Sequence, residues 1–141
     1  MKNKFSAHWK SSKQTRKQRK YRANAPIHIQ RKFLSVNLNK DLRKKYNKRN
    51  FPIRKGDEVK IMKGSEKGKK GKISIVNLER MKIAIEGIQR KKKEGTKINL
   101  WFEPSNVQIQ ELNLSDKMRL KSLNRKVAEK KENKKKEKKN A

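Results

Sequence analysis

The chain of 141 residues contains 44 Lys and Arg against 13 Asp and Glu, which gives a formal net charge of +31 at pH 7. Hydrophobic residues account for 30% and charged residues for 40%, so there is apolar material for one modest domain and not for the whole chain. Cysteine is absent, which excludes disulfide frameworks, thiol nucleophiles and cysteine-based zinc sites. Because the positive charges repel one another, we expect a polyanionic partner in the native state.

The sequence gives no sign of a membrane protein. No apolar run approaches the roughly 20 residues that span a bilayer. Residues 1–20 lack the hydrophobic segment of a secretory signal. The basic segments are poor in the Trp, Phe and Leu that a helix lying on a membrane surface needs. We therefore expect a soluble, intracellular protein without membrane insertion.

The charge divides the chain into three parts. Residues 1–51 hold 17 basic residues and one acid, Asp41, whereas residues 52–110 hold 15 basic and seven acidic residues. Residues 111–141 hold 12 basic and five acidic residues and end in a low-complexity run of Lys, Glu and Asn. We interpret these parts as a basic N-terminal extension, a small globular domain, and a C-terminal helix with a lysine-rich tail.

The N-terminal extension is predicted to contain a short helix after an extended segment. Residues 1–20 have no hydrophobic periodicity and should be extended when free. Asn24 could cap a helix that has Pro26 in its first turn and Ile29 and Phe33 on one face.

A second short helix is predicted from Asn39 to Tyr46. Leu38, Leu42 and Tyr46 lie four residues apart, which places them on one helical face, and Asp41 lies near the positive end of the helix dipole.

Five aromatic residues of the extension lie among arginines and lysines, as rings that stack on nucleic-acid bases do. We favour packing for three of them, namely Phe33, Tyr46 and Phe51. For Trp9 and Tyr21 base stacking stays open, because their segments offer little else to pack against.

Five short strands with period-two alternation are predicted in the middle part. They are marked by Val59 and Ile61, by Ile73 and Ile75, by Met81, Ile83 and Ile85, by Ile98 and Leu100, and by Val107 and Ile109. Breakers separate them at the glycines 64, 68 and 71 and at residues 77–80, 87–95 and 104–106. This pattern fits a small, strongly bent antiparallel barrel of the SH3-like type.

The loop between the first two predicted strands indicates contact with nucleic acid. It runs Gly64-Ser65-Glu66-Lys67-Gly68-Lys69-Lys70, where glycines let backbone amides approach a phosphate chain and lysines neutralise it. A nucleotide-triphosphate P-loop is excluded, because Gly64 and Gly68 enclose three residues where that motif needs four. Lys70 also stands where that motif needs Ser or Thr.

The last part is predicted to begin with a helix. Ser115 and Asp116 start it, and Leu120, Leu123 and Val127 lie along one side. Just upstream, the apolar pair Trp101-Phe102 is either barrel core or a protein-facing patch.

No group of residues forms a catalytic set. His8 and His28 lack a nearby carboxylate, so a surface or RNA-contacting imidazole is favoured over a catalytic one. Five acids lie among lysines, which favours surface ion pairing over a catalytic pair; they are Asp57, Glu58, Glu66, Glu79 and Glu86. We expect no enzyme activity, no metal and no cofactor.

The loop and its flanking strands carry a spaced motif. Its residues are Lys55-Gly56-Asp57, Val59, Ile61, Gly64, Lys67-Gly68 and Gly71-Lys72-Ile73. They resemble the KOW motif, a strand-loop-strand unit found in ribosomal proteins and in some transcription elongation factors.

Segments on both sides of the motif narrow the resemblance. They are Asn24-Ala25-Pro26-Ile27-His28, Leu42-Arg43-Lys44-Lys45-Tyr46-Asn47, Pro52-Ile53-Arg54-Lys55, Glu86-Gly87-Ile88, Gly95-Thr96-Lys97 and Pro104-Ser105-Asn106-Val107. With the motif, they resemble the archaeal and eukaryotic branch of a universal KOW-bearing protein family of the large ribosomal subunit. That family is number twenty-four in universal naming and twenty-six in eukaryotic naming. One stretch departs from it, because Trp101-Phe102-Glu103 is bulkier than the usual sequence there.

The resemblance implies an SH3-like barrel with a basic extension that binds large-subunit rRNA early in assembly, beside the exit of the nascent-peptide tunnel. Its implied partners are this rRNA, neighbouring large-subunit ribosomal proteins and nascent-chain factors at the tunnel exit, in a cytoplasmic ribosome. No homo-oligomer is expected.

The residues expected to contact RNA are basic, apart from one glycine. In the extension they are Arg16, Lys17, Arg19, Lys20, Arg22, Arg31, Lys32 and Arg49. In the barrel and its entry they are Arg54, Lys63, Lys67, Gly68, Lys69, Lys70 and Lys72. A-form RNA is read mainly through its shape and backbone, which a lysine-rich loop suits better than a base-reading helix.

Two other functions compete with this interpretation. A KOW-type transcription elongation factor would need a separate mixed α/β domain ahead of the motif, and residues 1–50 are too basic and too poor in strands for one. A chromatin-type protein that coats DNA would explain the lysine-rich tail but not the ordered strand pattern.

Overall fold

Seven strands form one sheet in the part of the chain that a computed structural model describes, which comprises residues 5–6, 8 and 11–125. The strands are β1 (Ser35–Leu38), β2 (Asn50–Pro52), β3 (Glu58–Ile61), β4 (Lys70–Asn77), β5 (Lys82–Lys91), β6 (Lys97–Phe102) and β7 (Val107–Glu111). Their order in the sheet is β2-β1-β7-β3-β4-β5-β6. The helices are α1 (Thr15–Asn24), α2 (Ile27–Phe33), α3 (Lys40–Tyr46) and α4 (residues 117–125 of the described part). The predicted mainly β fold, a small barrel flanked by helices at both ends, is confirmed.

Strands β3 to β7 correspond to the five strands predicted from alternation. In β3, Val59 and Ile61 are fully buried, and in β7, Val107 and Ile109 are buried opposite them. Burying the apolar face of each strand in one shared core is the main favourable term that holds such a sheet together. The core therefore lies inside the curve of this sheet.

A β-bulge in β4 corrects one detail of the prediction. Ile73 pairs with Ile85 and faces the core, but the register shifts before Ile75, which pairs with Ala84. The bulge inserts one extra residue, and an extra residue turns the following side chains to the other face. Ile75 is consequently 43% exposed instead of lying beside Ile73 in the core.

Strand β5 runs further than predicted. Residues 87–95 were expected to break the sheet, yet β5 continues to Lys91 and pairs there with Lys97 of β6. Gly87 accommodates the irregular stretch with a φ of 77°, and the turn itself is confined to residues 92–96. On β6, Trp101 is 37% exposed while Phe102 packs against the core, so the two residues of this pair face opposite ways.

Two strands of the sheet come from the part interpreted as a basic extension. In β1, Val36 and Leu38 are completely buried, and β1 lies antiparallel to β2 and parallel to β7. The few apolar positions of β1 and β2 lie in a cation-rich part of the sequence. Their alternation of apolar and polar residues was therefore not recognised. The division of the chain at residues 51 and 110 stays a prediction, but residues before 51 contribute to the core.

Helix α3 is confirmed, although Leu38, which was predicted on its face, belongs to β1. The side chain of Asn39 accepts a hydrogen bond from the backbone N–H of Lys40, and Asp41 lies in the first turn. Asn47 ends the helix in the left-handed conformation.

The first two helices differ from the prediction in their boundaries. Helix α2 is preceded by Pro26 and not by an Asn24 cap, because Asn24 is the last residue of α1. The expectation that residues 1–20 are extended is wrong from Thr15 onward, where α1 begins. Arg, Lys and Gln are good helix formers, so α1 forms without an apolar face and has no buried residue.

The aromatic residues favoured for packing do pack. Tyr46 and Phe51 are buried in the core, and Phe33 is half-buried with its ring centroid 6.0 Å from that of Tyr21. Tyr21 also lies 4.8 Å from the Phe5 ring, so it has aromatic neighbours within the protein. Trp9 lies outside the described residues.

The carboxylate of Asp57 is completely buried, which contradicts its interpretation as a surface acid. Arg119 of α4 binds it through two parallel hydrogen bonds, each 2.6 Å long. The carboxylate also accepts hydrogen bonds from the backbone N–H groups of Arg54 at 2.8 Å and Asn113 at 2.9 Å. This pairing of a planar guanidinium with a carboxylate is the strong, geometrically specific form of ion pair.

Arg119 connects further parts of the chain. Its guanidinium donates to the carbonyls of Asn113 at 2.8 Å and Pro52 at 3.2 Å, and it lies 5.4 Å from the centre of the Phe51 ring. Leu123, one helical turn later, is fully buried in the core. Helix α4 is thus anchored through one arginine and one leucine on the same face.

A second ion pair joins the same two regions at the surface, between Arg54 and Asp116. Arg54, with help from the backbone N–H of Met118, holds the pKa of Asp116 below its ordinary value. A lowered pKa means that the pair stabilises the fold above the unfolded-state pKa and loses this contribution as the pH falls through the folded-state pKa.

We predict that Arg119→Ala destabilises the protein by about 3–5 kcal/mol, because it leaves the Asp57 carboxylate buried and uncompensated. Urea unfolding followed by circular dichroism measures the loss. Arg125→Ala is the matched control, since Arg125 lies exposed on the same helix and its removal should change stability by no more than about 0.5 kcal/mol. Equal unfolding midpoints for the two variants would show that the buried pair does not stabilise the fold.

Candidate nucleic-acid interface

The loop that joins β3 to β4, residues 62–69, is closed by hydrogen bonds at its base. Gly68 N–H donates to the carbonyl of Ile61 at 2.8 Å, and Ile61 N–H donates to the carbonyl of Lys69 at 2.9 Å. We call residues 62–69 the glycine-lysine loop. Gly64 and Gly68 have φ values of 96° and 94°, in the left-handed region that glycine adopts without strain. The glycines are therefore required by the turn itself.

The backbone of this loop is occupied with its own hydrogen bonds. Lys67 N–H donates to the carbonyl of Gly64 and Lys69 N–H to that of Glu66, both at 3.2 Å. Together with Gly68, three successive amides are directed inward. This corrects the expectation that these amides approach phosphate, and it leaves the lysine side chains as the groups that the loop offers to an anion.

The lysines of the loop and of the adjoining β4 are exposed, and they differ in whether an acidic side chain pairs with them. Lys69 forms an ion pair with Glu66 of the same loop, which neutralises part of its charge. The other predicted contacts here are exposed and have no acidic partner among the described ion pairs; they are Lys63, Lys67, Lys70 and Lys72. Lys70 also lies in register with Lys60 of β3, so the cations continue across the two strands.

Helix α1 presents cations on all sides except the one where Tyr21 packs against Phe33. Its five predicted contacts are all exposed; they are Arg16, Lys17, Arg19, Lys20 and Arg22. At 3.6 residues per turn, these positions point in directions spread around the helix axis. Such a helix can touch phosphates on several sides at once, as an element lying between nucleic-acid strands requires.

The remaining predicted contacts are not equivalent. Arg31 and Lys32 are exposed in the last turn of α2, and Arg49 is exposed just before β2. Arg54 is exposed but pairs with Asp116, which makes it the least available of these cations.

Sequence reasoning missed a basic cluster at the β5–β6 hairpin. Arg90 to Lys93 are four consecutive exposed cations, followed by Lys97 on β6. In an antiparallel meander, alternate loops leave the same end of the strands, so this hairpin and the glycine-lysine loop lie at one end of β3-β4-β5-β6. The run of four cations was visible in the sequence, but the segment was interpreted as a strand breaker.

The predicted contacts thus fall into two groups. The glycine-lysine loop belongs to the end of the sheet where β4 starts. Helices α1 and α2 lie near the other end of β4, because Arg22 lines a cleft with residues 79–82 of the β4–β5 turn and Arg31 lines one with residues 74–76.

No group of three or more His, Asp or Glu side chains among the described residues is placed to hold a metal ion. No helix in the described ranges has the length and apolar character needed to cross a membrane. His28 is exposed on α2, and His8 lies in the N-terminal segment.

Comparison with known proteins gives one consistent result. Residues 12–126 match the profile of a family described as the eukaryotic ribosomal proteins L26 and their archaeal counterparts, which carry the number twenty-four. A relative from Methanosphaera stadtmanae, the large ribosomal subunit protein uL24, is 41% identical over 116 residues, which cover 82% of this chain and 99% of the relative. This is a family of structural ribosomal proteins and not of enzymes. The resemblance inferred from the motif is confirmed, and the chain belongs to this eukaryotic and archaeal family of ribosomal proteins.

Proposed function

We propose that this protein is a structural constituent of the large ribosomal subunit that binds large-subunit rRNA through α1, α2 and the glycine-lysine loop. The observation that carries the proposal is the exposure of every predicted basic contact, combined with the absence of any acid before Asp41. This part of the chain holds no carboxylate of its own that could neutralise it, whereas a phosphate backbone can.

Membership in the family makes the chain a large-subunit ribosomal protein of the cytoplasm. We further propose that it supports subunit assembly beside the exit of the nascent-peptide tunnel. Its partners there are neighbouring ribosomal proteins and nascent-chain factors. No membrane insertion and no homo-oligomer are part of the proposal.

The binding mode follows from the chemistry of the exposed groups. Lysine and arginine side chains offer charge and hydrogen-bond donors to phosphates, and phosphate contacts position a protein without reading sequence. Large-subunit rRNA is then selected by the shape of its folded surface, to which a rigid barrel and a cationic helix present fixed arrays of charge.

Sedimentation tests the proposed function against its rivals. The protein should remain with large ribosomal subunits in sucrose gradients at high salt. A polymerase factor or a DNA-coating protein would leave the subunits under these conditions, and either result would overturn the proposal.

We predict that the affinity for a large-subunit rRNA fragment falls steeply with salt. If about eight phosphates are neutralised, the slope of log affinity against log salt should lie between about −5 and −8. Filter binding over a series of salt concentrations measures it. A slope shallower than about −2 would mean that stacking or base reading carries the binding instead.

We predict that Lys67→Ala weakens RNA binding more than Lys69→Ala does. Lys67 has no acidic partner among the described ion pairs, whereas Lys69 already pairs with Glu66. Lys67→Ala should make the salt slope shallower by up to about one unit, and Lys69→Ala by less. The matched change Glu66→Gln frees Lys69 and should tighten binding. Equal losses for both lysines would show that the Glu66 pair opens on RNA.

We predict that Gly68→Val lowers both stability and RNA affinity. A β-branched residue at a φ of 94° should cost about 1–3 kcal/mol, and the loop that carries the lysines would be distorted. Gly68→Asn is the matched control, because Asn tolerates a positive φ better than Val does. Thermal unfolding and RNA binding are measured for both. If Gly68→Val folds and binds like the parent, the shape of the loop does not matter.

A further inference from the structure

An open groove runs beside the second half of β4, with a volume of about 850 Å³. This is within the range of clefts that hold small ligands. Its walls come from the end of α2, from residues 52–55 and from residues 74–78. We call it the β4 groove. None of the interactions described above explains why it should be left open.

The floor of the β4 groove is apolar because of the bulge in β4. Without the extra residue, Ile75 would face the core with Ile73; with it, Ile75 is turned outward and lines the groove. Bulges recur beside functional sites because they re-aim single side chains in this way. Leu34, Ile53 and Val76 complete the apolar lining.

The rim of the groove is cationic. Arg31, Arg54 and Lys55 line it and all three are exposed, but Arg54 is engaged by Asp116, which leaves Arg31 and Lys55 for a ligand. No carboxylate belongs to its lining among the described residues. An occupant that suits this arrangement carries a flat or apolar body for the floor and negative charge for the rim.

We propose that the β4 groove holds an unpaired nucleotide of the bound RNA, with its base against Ile75 and its phosphate on Arg31 and Lys55. This inference rests on the proposed rRNA binding. It adds that one site on the protein accepts a nucleotide displaced from a helix, in addition to the shape-selective contacts of α1 and the glycine-lysine loop.

The charge around the groove favours RNA over a protein segment. Arg22 lines a cleft with the β4–β5 turn and Arg31 lines one with the end of β4, so RNA bound to α1 brings phosphates towards Arg31. An acidic peptide that enters the groove would have to place its carboxylates among those phosphates. A nucleotide already belongs to the same polyanion, so its entry brings no additional negative charge to the site.

The test uses the full chain with its isoleucine δ1-methyl groups labelled for NMR, and with the Ile75 signal assigned from an Ile75→Val variant. A single-stranded uridine oligomer and an RNA duplex of the same length are added in turn at low salt. We expect the single strand to shift the Ile75 methyl signal through the ring current of a base. The duplex should bind and leave that signal in place.

Affinity provides the second readout. Ile75→Ala should weaken binding of the single strand about five- to tenfold by removing apolar contact, and should leave duplex binding unchanged. Arg31→Ala should weaken single-strand binding and make its salt slope shallower by up to about one unit. Met118→Ala is the matched control, because Met118 is the most exposed large apolar residue of the described chain and lies outside the groove.

The outcomes separate the two proposals. If single-stranded RNA binds while the Ile75 signal stays in place and Ile75→Ala binds like Met118→Ala, the groove does not hold a nucleotide, although rRNA binding stands. If neither RNA binds, the proposed function itself is wrong. If a Glu-Leu repeat peptide shifts Ile75 and the uridine oligomer does not, the groove is a protein-docking site and this inference is overturned.

Discussion

The structure depends on one buried carboxylate. Asp57 accepts hydrogen bonds from the backbone of residue 54, from the backbone of residue 113 and from both terminal nitrogens of Arg119. It thereby joins the entry of β3, the segment after β7 and helix α4. Burying a carboxylate costs several kcal/mol of desolvation, which only such complete pairing offsets. The chain has a large excess of cations. The negative charge of Asp57 therefore also offsets one positive charge and reduces the repulsion among them.

The apolar core and the proposed anion-binding surface occupy separate parts of the protein. Apolar residues on the inner face of the sheet provide stability, while cations stand on α1, on loops and on outward strand positions. Stability and anion binding can therefore be changed independently at most positions. The glycine-lysine loop is an exception, since its turn geometry and its charge arise from the same few residues. The β4 groove is another, because a single inserted residue in the strand creates its floor.

Local patterns predicted local structure well. Alternation located strands β3 to β7, a spacing of four residues located α3, and Ser115 with Asp116 indicated the start of α4 to within two residues. The bulge was not predictable in this way, because Ile73 and Ile75 keep the spacing of a regular strand whether or not a residue is inserted in the pairing. Helix α1 was missed since it has no apolar stripe and Tyr21 provides its only aromatic contacts, so helix propensity contributes much of its stability.

Long-range pairing was beyond the reach of these patterns. Asp57 and Arg119 lie 62 residues apart, each in a charge-rich stretch where most such residues are solvated. Strands β1 and β2 are short and surrounded by cations, so composition outweighed their alternation. For the interface, residue type indicated the groups proposed to bind anions, but only the structure distinguishes Lys69, engaged by Glu66, from the neighbouring lysines without a described ion pair.

The position of β1 has a consequence for the order in which the chain folds during synthesis. This strand pairs in parallel with β7, and Leu38 lies in register with Ile109. A chain is synthesised from its N-terminus, so β1, together with α1 and α2, is made well before its partner strand β7. During that interval β1 can pair with β2, but the rest of the sheet that it will join has not yet formed. The sheet then joins an early part of the chain to one of its last strands, and a late step in translation closes the core.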